Sequence, residues 1–121
     1  MKKIALFALN GDPQCFVHVL LNGLDLREKG HDVAVVIEGS ATLLIRTLGE
    51  EAEEGSDGQM LHRLYEEVKE RGLIDCVCRA CSHKMGVVDD VERQQLSFGS
   101  EMNGHPSMSR YVDDGYEILV F

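Results

Sequence analysis

The sequence predicts an α/β protein in which a mainly parallel sheet carries helices on both faces, giving three layers. Three observations support this fold class. Short apolar runs alternate with amphipathic segments, and glycines or prolines mark the turns between them. Repeated strand–helix–strand units favour right-handed crossovers and therefore parallel strands. At 121 residues the chain fits one domain, residues 1–121, and is long enough to bury a core.

The first strand–helix–strand unit lies at the start of the chain. The continuous apolar run at residues 4–9 is typical of a strand covered on both faces. Asp12 and Pro13 suit the N-cap and first turn of a helix, and Gly30 suits its end. A second strand is predicted over residues 32–37. The apolar face of the intervening helix is predicted to consist of Phe16, Val17, Leu20, Leu21 and Leu24.

The middle of the chain predicts two helices separated by an acidic loop. Ser40 suits the cap of a short helix that runs to residue 48. Residues 49–58 are rich in glutamate and glycine, which is typical of a solvated, mobile loop. A longer helix is predicted over residues 59–71. Its inward side chains are predicted to be Leu61, Leu64, Tyr65 and Val68.

The second half of the chain predicts three more strands, at residues 73–78, 96–98 and 116–121. A short helix is predicted to follow the first of these strands and to run through residue 86, and another is predicted over residues 89–95. His105 and Pro106 are expected to open the last helix, which Gly115 ends.

The charge of the chain argues against nucleic acids and membranes as partners. The 21 acidic residues outnumber the 12 basic ones and give a formal net charge of −9. Such a surface repels phosphates and anionic lipid head groups. The apolar run at residues 4–9 is too short for a secretory signal, and no run approaches the roughly 20 residues of a membrane span. We therefore expect a cytoplasmic protein whose thiols stay reduced.

The carboxyl ends of parallel strands meet at one edge of a sheet, where the functional crevice of such folds lies. The cysteine-rich segment 76–83 follows the third predicted strand and reaches this rim. No Gly-x-Gly-x-x-Gly follows the first strand, so a dinucleotide is not indicated and we expect no cofactor. Further candidate residues on the rim are Asn10, Asp12, Cys15, His18, Glu38, Ser40 and His83.

The first interpretation of the cysteine-rich segment is a zinc site. Three cysteines and a histidine are ligand types that zinc accepts, but one short segment rarely places four such side chains around one ion. Cys76, inside the strand, is better explained as a small core residue. A narrower metal site would use Cys78, Cys81 and His83.

A redox pair and a sulfur carrier are the other two interpretations. Cys78 and Cys81 form a Cys-x-x-Cys motif at a strand-to-helix junction, where backbone N–H groups are expected to lower the pKa of the Cys78 thiol. Arg79, His83 and Lys84 are expected to add positive charge there. The segment lacks the Trp-Cys-Gly-Pro surroundings of thioredoxins. A low-pKa thiolate on a rigid mount also suits a persulfide carrier, with Cys78 as nucleophile and Cys81 as its helper.

Several segments of the chain carry a resemblance to a known family. These segments are residues 3–7, residues 78–86, and residues 104–107 followed by 115–121. In them the chain resembles the DsrE/DsrF-like family, sulfur-relay proteins with a YchN-like fold. Its sulfur-carrying members have a cysteine at the end of a central strand and a glycine eight positions later, which Cys78 and Gly86 match. The resemblance implies a flavodoxin-like or Rossmann-like fold and assembly into trimers or hexamers.

We therefore predict a small sulfur-relay protein in which Cys78 accepts a persulfide sulfur and passes it on. This protein would be either a sulfurtransferase or a sulfur carrier without enzymatic activity. The resemblance implies a protein sulfur donor or acceptor as partner, and a homo-oligomer. One alternative is a metal-binding module, for zinc or iron, or a thiol-redox module that uses Cys78, Cys81 and His83. Another is a non-catalytic oligomeric adaptor in which the cysteines are incidental.

Overall fold

Five parallel strands form one sheet in the computed structural model, which describes residues 1–121. The strands are β1 (Lys3–Ala8), β2 (Asp32–Ile37), β3 (Ile74–Cys78), β4 (Phe98–Gly99) and β5 (Glu117–Val120). In space they follow the order β4-β3-β2-β1-β5. β1 pairs with β2 along its whole length, from Lys3 opposite Asp32 to Ala8 opposite Ile37. The predicted α/β fold with a parallel sheet is confirmed.

Six α-helices accompany the sheet. They are α1 (Pro13–Glu28), α2 (Leu43–Leu48), α3 (Asp57–Glu70), α4 (Arg79–Met85), α5 (Val88–Arg93) and α6 (Met108–Asp113). A 3₁₀ turn over Gly39–Thr42 leads into α2. The longest helix, α1, has 16 residues, and none of the six combines the length and apolarity that crossing a membrane requires.

The strand order determines which face of the sheet each helix covers. From β1 to β4 every new strand is added on the same side of the previous one, and right-handed crossovers then place the connecting helices on one face. The chain returns from β4 to the far side of β1 to form β5, which places α6 on the opposite face. Helices therefore cover both faces, as predicted, but the two layers are unequal.

Each face of the sheet buries its own apolar cluster, because successive strand side chains point to opposite faces. The larger cluster has 19 buried residues and includes Leu6, Val35 and Val77 from the strands. The smaller cluster lies under α6 and consists of Ala5, Phe7, Ala34, Val36, Cys76 and Tyr111. The predicted core position of Cys76 is confirmed.

The buried face of α1 differs from the predicted one. Leu21 is 46% exposed, whereas Val19 and Gly23 are buried. A Cβ atom at Gly23 would lie 3.7 Å from the Leu6 side chain and 3.8 Å from Val35. Gly23 thus faces the sheet, at a distance where an added Cβ would make an ordinary contact, and a pattern of large apolar residues does not reveal that face.

The predicted helix cap at Ser40 is also wrong. Ser40 lies inside the 3₁₀ turn, and its Oγ accepts a hydrogen bond from the Gly11 N–H at 2.9 Å. The hydroxyl also donates to the Leu9 carbonyl at 3.3 Å. Ser40 therefore ties the loop after β1 to the turn after β2 at the carboxyl edge of the sheet.

Candidate functional site

Cys78 is both the last residue of β3 and the N-cap of α4. Its Sγ accepts a hydrogen bond from the Cys81 backbone N–H at 3.3 Å. The Ser82 hydroxyl donates to the Cys78 carbonyl at 2.7 Å and ties the first turn of the helix to the strand. Gly86 ends the helix in the left-handed conformation, with a φ of 71°. The Cys-x-x-Cys motif is therefore held on a fixed strand-to-helix junction.

A tight turn between β4 and α6 brings His105 to the same junction. Asn103 and Gly104 have φ angles of 50° and 89°, as in a two-residue reverse turn. Met102 and His105 exchange backbone hydrogen bonds of 2.8 and 2.9 Å across it. The Gly104 carbonyl accepts from the Ala80 N–H at 2.9 Å. A Cβ atom at residue 104 would lie 3.1 Å from the Ala80 Cβ, so glycine suits this close approach.

The two segments bring together two thiols and an imidazole. Cys78 Sγ lies 3.1 Å from His105 Nδ1, and Cys81 Sγ lies 3.8 Å from the same nitrogen. All three atoms lie within 4.8 Å of one another, and both thiols are free. We refer to Cys78, Cys81 and His105 as the thiol–imidazole cluster. Such atoms move protons, attack electrophilic sulfur or bind soft metal ions.

The thiol–imidazole cluster borders a cavity of about 290 Å³. Cys81 and His105 are half-buried and line it, whereas Cys78 is fully buried. Glu38 follows β2 and is buried, and burial raises the pKa of its carboxyl group, an effect that the charge of His105 partly opposes. The other residues that line the cavity are Gly39, Ala80, Lys84 and Met85.

The prediction of a low pKa at Cys78 is wrong. Burial raises the pKa of this thiol to about 12, and the side-chain contact with Cys81 acts in the same direction. The backbone N–H of Cys81 lowers the pKa but does not offset the loss of water. At neutral pH Cys78 is therefore a thiol. Its nucleophilicity depends on a base that takes the proton, and His105 Nδ1 lies within hydrogen-bond distance.

The predicted rim residues of the first loop have structural contacts. The Asp12 carboxylate accepts from the Gln14 N–H at 2.9 Å and caps α1, as expected for this residue type. The Asn10 Oδ1 accepts from the Asp12 N–H at 2.8 Å. Together with the Ser40 contact to Gly11, these hydrogen bonds shape the loop after β1. None of them involves a cysteine.

The structure does not bring His83 to the sulfurs of the cluster. His83 is exposed and borders a different cavity of about 790 Å³, together with Arg79, whose guanidinium lies 4.9 Å from the centre of the Phe98 ring. Two residues along an α-helix turn the side chain by about 200°, so positions 81 and 83 face opposite ways. In the metal-binding set predicted from the sequence, His105 takes the place of His83.

Cys15 and His18 lie in the first turns of α1, outside the thiol–imidazole cluster. Cys15 is half-buried and His18 is exposed. Among the predicted rim residues outside the cysteine-rich segment, Glu38 is the one whose charge acts on the cluster, through His105 and Cys78.

Cys76 has a closed environment on β3. Its Sγ lies 3.3 Å from the Tyr111 hydroxyl, which also hydrogen-bonds to Asp75. Arg110 pairs with Asp75 at 2.8 Å and with Glu101 at 3.1 Å. Burial raises the pKa of the Cys76 thiol to about 11. Cys76 is therefore a protonated core residue held by a polar network.

His105 is the site residue that was not predicted from the sequence. It was expected to open the last helix, but α6 begins three residues later, at Met108, and His105 completes the turn before it. The adjacent Asn103 and Gly104 form an Asn-Gly pair, which is typical of a two-residue turn and predicts one at this place. The pairing of β4 with β3, which brings the turn to the sulfurs, depends on tertiary structure.

Comparisons with known proteins address the fold and the family. The DsrE/DsrF-like family model matches residues 6–121. An uncharacterized protein of Methanocaldococcus jannaschii is 31% identical over 103 residues, which cover 85% of this chain and 77% of that protein. An uncharacterized protein of Archaeoglobus fulgidus is 40% identical over 43 residues, covering 36% of this chain and 70% of that protein. A conserved protein of unknown function from Bacteroides thetaiotaomicron has a similar fold, with a TM-score of 0.70 at 13% identity, over 99% of this chain and 95% of that one.

The family match covers nearly the whole chain, including β3, the Cys-x-x-Cys motif and the turn that carries His105. It suggests a sulfur-relay type of role in general, and the cluster of two cysteines and a histidine is compatible with that role. The resemblance noted in the sequence is thereby confirmed, and the chain belongs to the DsrE/DsrF-like family.

Proposed function

We propose that this protein is a sulfur carrier in which Cys78 accepts a sulfane sulfur from a persulfide and passes it to an acceptor thiol. The observation that carries the proposal is the 3.1 Å contact between Cys78 Sγ and His105 Nδ1 at the end of β3. A buried thiol needs a base to become a nucleophile, and an imidazole at this distance supplies one. Membership of the DsrE/DsrF-like family supports the same chemistry.

In the accepting step, His105 takes the thiol proton of Cys78 and the sulfur attacks the terminal sulfur of the donor persulfide. An S–S bond forms on Cys78 while the S–S bond of the donor breaks. The donor leaves as a thiolate and recovers a proton from the imidazolium. The two molecules exchange one sulfur atom with no net oxidation or reduction. Attack of an acceptor thiolate on the terminal sulfur of Cys78 then delivers that atom by the same exchange.

The surroundings of Cys78 Sγ suit an added sulfur atom. An S–S bond is about 2.0 Å long, so the terminal sulfur would lie among the groups that contact Sγ in the resting protein. These groups include the Cys81 N–H at 3.3 Å, His105 Nδ1 at 3.1 Å and the Gly104 carbonyl at 3.8 Å. The first two are polar groups able to hold a sulfur anion.

Cys81 is the thiol of the cluster that borders the cavity. A donor that approaches through this cavity therefore meets Cys81 before the buried Cys78. We assign Cys81 a helper role in which its own persulfide is the donor of the accepting step. Cys78 attacks the terminal sulfur of that persulfide, an S–S bond forms on Cys78 as the one on Cys81 breaks, and Cys81 is left as a thiol.

The proposal requires partner molecules with reactive sulfur. A protein persulfide donor and a protein thiol acceptor are the expected partners, and reduced thiols fit a cytoplasmic location. The family resemblance implies a trimer or hexamer, which sedimentation analysis of the purified protein tests directly.

Mass spectrometry after exposure to a small persulfide donor tests the sulfur carrier. The wild-type protein is expected to gain about 32 Da per added sulfur, located at Cys78 by peptide mapping. Cys78→Ser should show no gain at that peptide, and Cys81→Ser should label more slowly. Cys76→Ser is the matched control, since it removes a buried thiol of the same strand. Labelling of Cys78→Ser to the wild-type level would overturn the assignment.

His105→Gln tests the base separately from the nucleophile. Loss of a general base slows proton transfer by about 100-fold or more, so labelling at neutral pH should fall by that order. Raising the pH should restore much of the rate, because hydroxide then removes the thiol proton. A His105→Gln protein that labels at the wild-type rate at neutral pH would exclude this role for the imidazole.

A further inference from the structure

The thiol–imidazole cluster has the spacing of a metal site. In tetrahedral zinc sites the Zn–S and Zn–N bonds are about 2.3 and 2.0 Å, so neighbouring ligand atoms lie about 3.5 to 3.8 Å apart. Here His105 Nδ1 lies 3.1 Å from one sulfur and 3.8 Å from the other, and all three atoms lie within 4.8 Å of one another. Shifts of less than about 1 Å would bring all three atoms within bonding distance of one ion.

We propose that Cys78, Cys81 and His105 of the reduced protein bind a divalent ion of the zinc type, with the fourth coordination position facing the cavity of about 290 Å³. Two thiolates and a neutral imidazole are ligands that zinc prefers. Each thiol gives up one proton on binding, so two protons are released per ion. The two thiolate charges balance the charge of the ion, which suits a largely buried site.

The main chain around the cluster already fixes the positions of the ligands. The Ser82 hydroxyl holds the Cys78 carbonyl, and the Ala80 N–H binds the Gly104 carbonyl, joining the two ligand-bearing segments. The Cys81 N–H donates to Cys78 Sγ, a contact that strengthens when the sulfur is a thiolate. Binding therefore requires little ordering of the chain beyond the three side chains.

The fourth position distinguishes this site from a closed structural one. Three protein ligands with an open position are typical of zinc ions that bind water or a further ligand. The remaining cavity residues, Gly39, Ala80, Lys84 and Met85, include no carboxylate, histidine or cysteine. A water molecule or the thiol of a small molecule would complete the coordination.

Cobalt titration of the reduced, metal-free protein tests the site. We expect one Co²⁺ per chain, with the charge-transfer absorption of thiolate ligands and the intense visible bands of tetrahedral cobalt. Zn²⁺ should displace the cobalt and remain bound through gel filtration at one ion per chain. Release of two protons per ion near neutral pH gives a second readout.

Matched variants decide which side chains hold the ion. Cys78→Ser, Cys81→Ser and His105→Ala should each weaken binding by at least about 100-fold. His83→Ala and Cys76→Ser should bind as the wild type does, because both side chains lie outside the cluster. His105→Cys supplies a different ligand at the same place and should recover binding, which a merely structural role of His105 would not predict.

Wild-type protein that retains less than stoichiometric zinc, or binding that His105→Ala leaves unchanged, would overturn the proposal. The titration contains no persulfide donor, so its failure leaves the labelling experiment on the sulfur carrier unaffected. Failure of labelling likewise leaves the metal titration intact.

Discussion

Cys76 and Cys78 lie two residues apart on β3, with both thiols buried and both side chains on the same face of the strand. Cys76 contacts the hydroxyl of Tyr111, whose ring packs edge-on against Phe7 at a centroid distance of 5.4 Å. Cys78 contacts a second thiol and an imidazole that border a cavity. Strand position and burial are thus common to both cysteines. The neighbours that other segments contribute distinguish the core residue from the candidate reactive one.

The same stretch of chain, residues 99–111, supplies one neighbour to each cysteine, Tyr111 to Cys76 and His105 to Cys78. Glu101 accepts from the Ser107 N–H at 3.2 Å and pairs with Arg110, which in turn holds Asp75 of β3. This polar network on the Cys76 side anchors the segment whose turn carries His105. The polar network beside Cys76 is therefore the anchoring side, and it stabilises the position of the residues that contact Cys78, the reactive side.

The largest effect is expected from Tyr111→Ala, which removes the anchor on the Cys76 side. The ring loses its packing against Phe7 and Tyr116, and Cys76 and Asp75 lose a hydrogen-bond partner. We expect the free energy of unfolding to fall by about 3–5 kcal/mol. Urea unfolding followed by circular dichroism measures it.

Two matched variants separate the two sides. Tyr111→Phe keeps the ring and removes only the hydroxyl, so the expected loss is about 1–2 kcal/mol. His105→Ala removes a half-buried side chain of the cluster and should cost less than about 1 kcal/mol. If His105→Ala destabilised the protein as much as Tyr111→Ala, the division into an anchoring and a reactive side would fail.

Alkylation of the thiols provides the next largest contrast. Cys81 borders the cavity and should react with iodoacetamide in the folded protein. Cys76 is 3% exposed and burial raises its pKa to about 11, so it should react only when the structure opens, at least about 100-fold more slowly. Mass spectrometry of quenched samples gives the rate at each cysteine.

Urea below the unfolding transition sharpens this contrast. It promotes opening, so it should accelerate the alkylation of Cys76 and leave Cys81 nearly unchanged. Tyr111→Phe should accelerate Cys76 further. Equal dependence of the two rates on urea would show that Cys81 is as closed as Cys76.

The sequence was sufficient to predict the position of Cys78 at the end of a strand, because the alternation of apolar runs and helical segments is a local property. The sequence was also sufficient to predict that Cys76 lies in the core, because the apolar run around it is a local property too. The pKa of Cys78 was predicted with the wrong sign, since burial by other segments outweighs the local backbone N–H groups. The role of His105 depends on the pairing of β3 with β4, a strand of only two residues that leaves little pattern in the sequence.

Gly104→Ala tests whether the turn positions His105, with an expected effect smaller than that of Tyr111→Ala. The φ angle of 89° strains any residue with a Cβ, and the new atom would lie 3.1 Å from the Ala80 Cβ. We expect a loss of about 1–2 kcal/mol in the free energy of unfolding. The turn must also move away from α4, so the rate of persulfide labelling at Cys78 should fall.

Gly30→Ala is the matched control for backbone strain. Its φ angle of 91° is nearly the same, but nothing lies within 4 Å of the added Cβ. It should therefore lose a similar free energy of unfolding, about 1 kcal/mol, without any change in labelling. If both variants labelled at the wild-type rate, the close contact between the turn and α4 would not be what holds the imidazole at the sulfur.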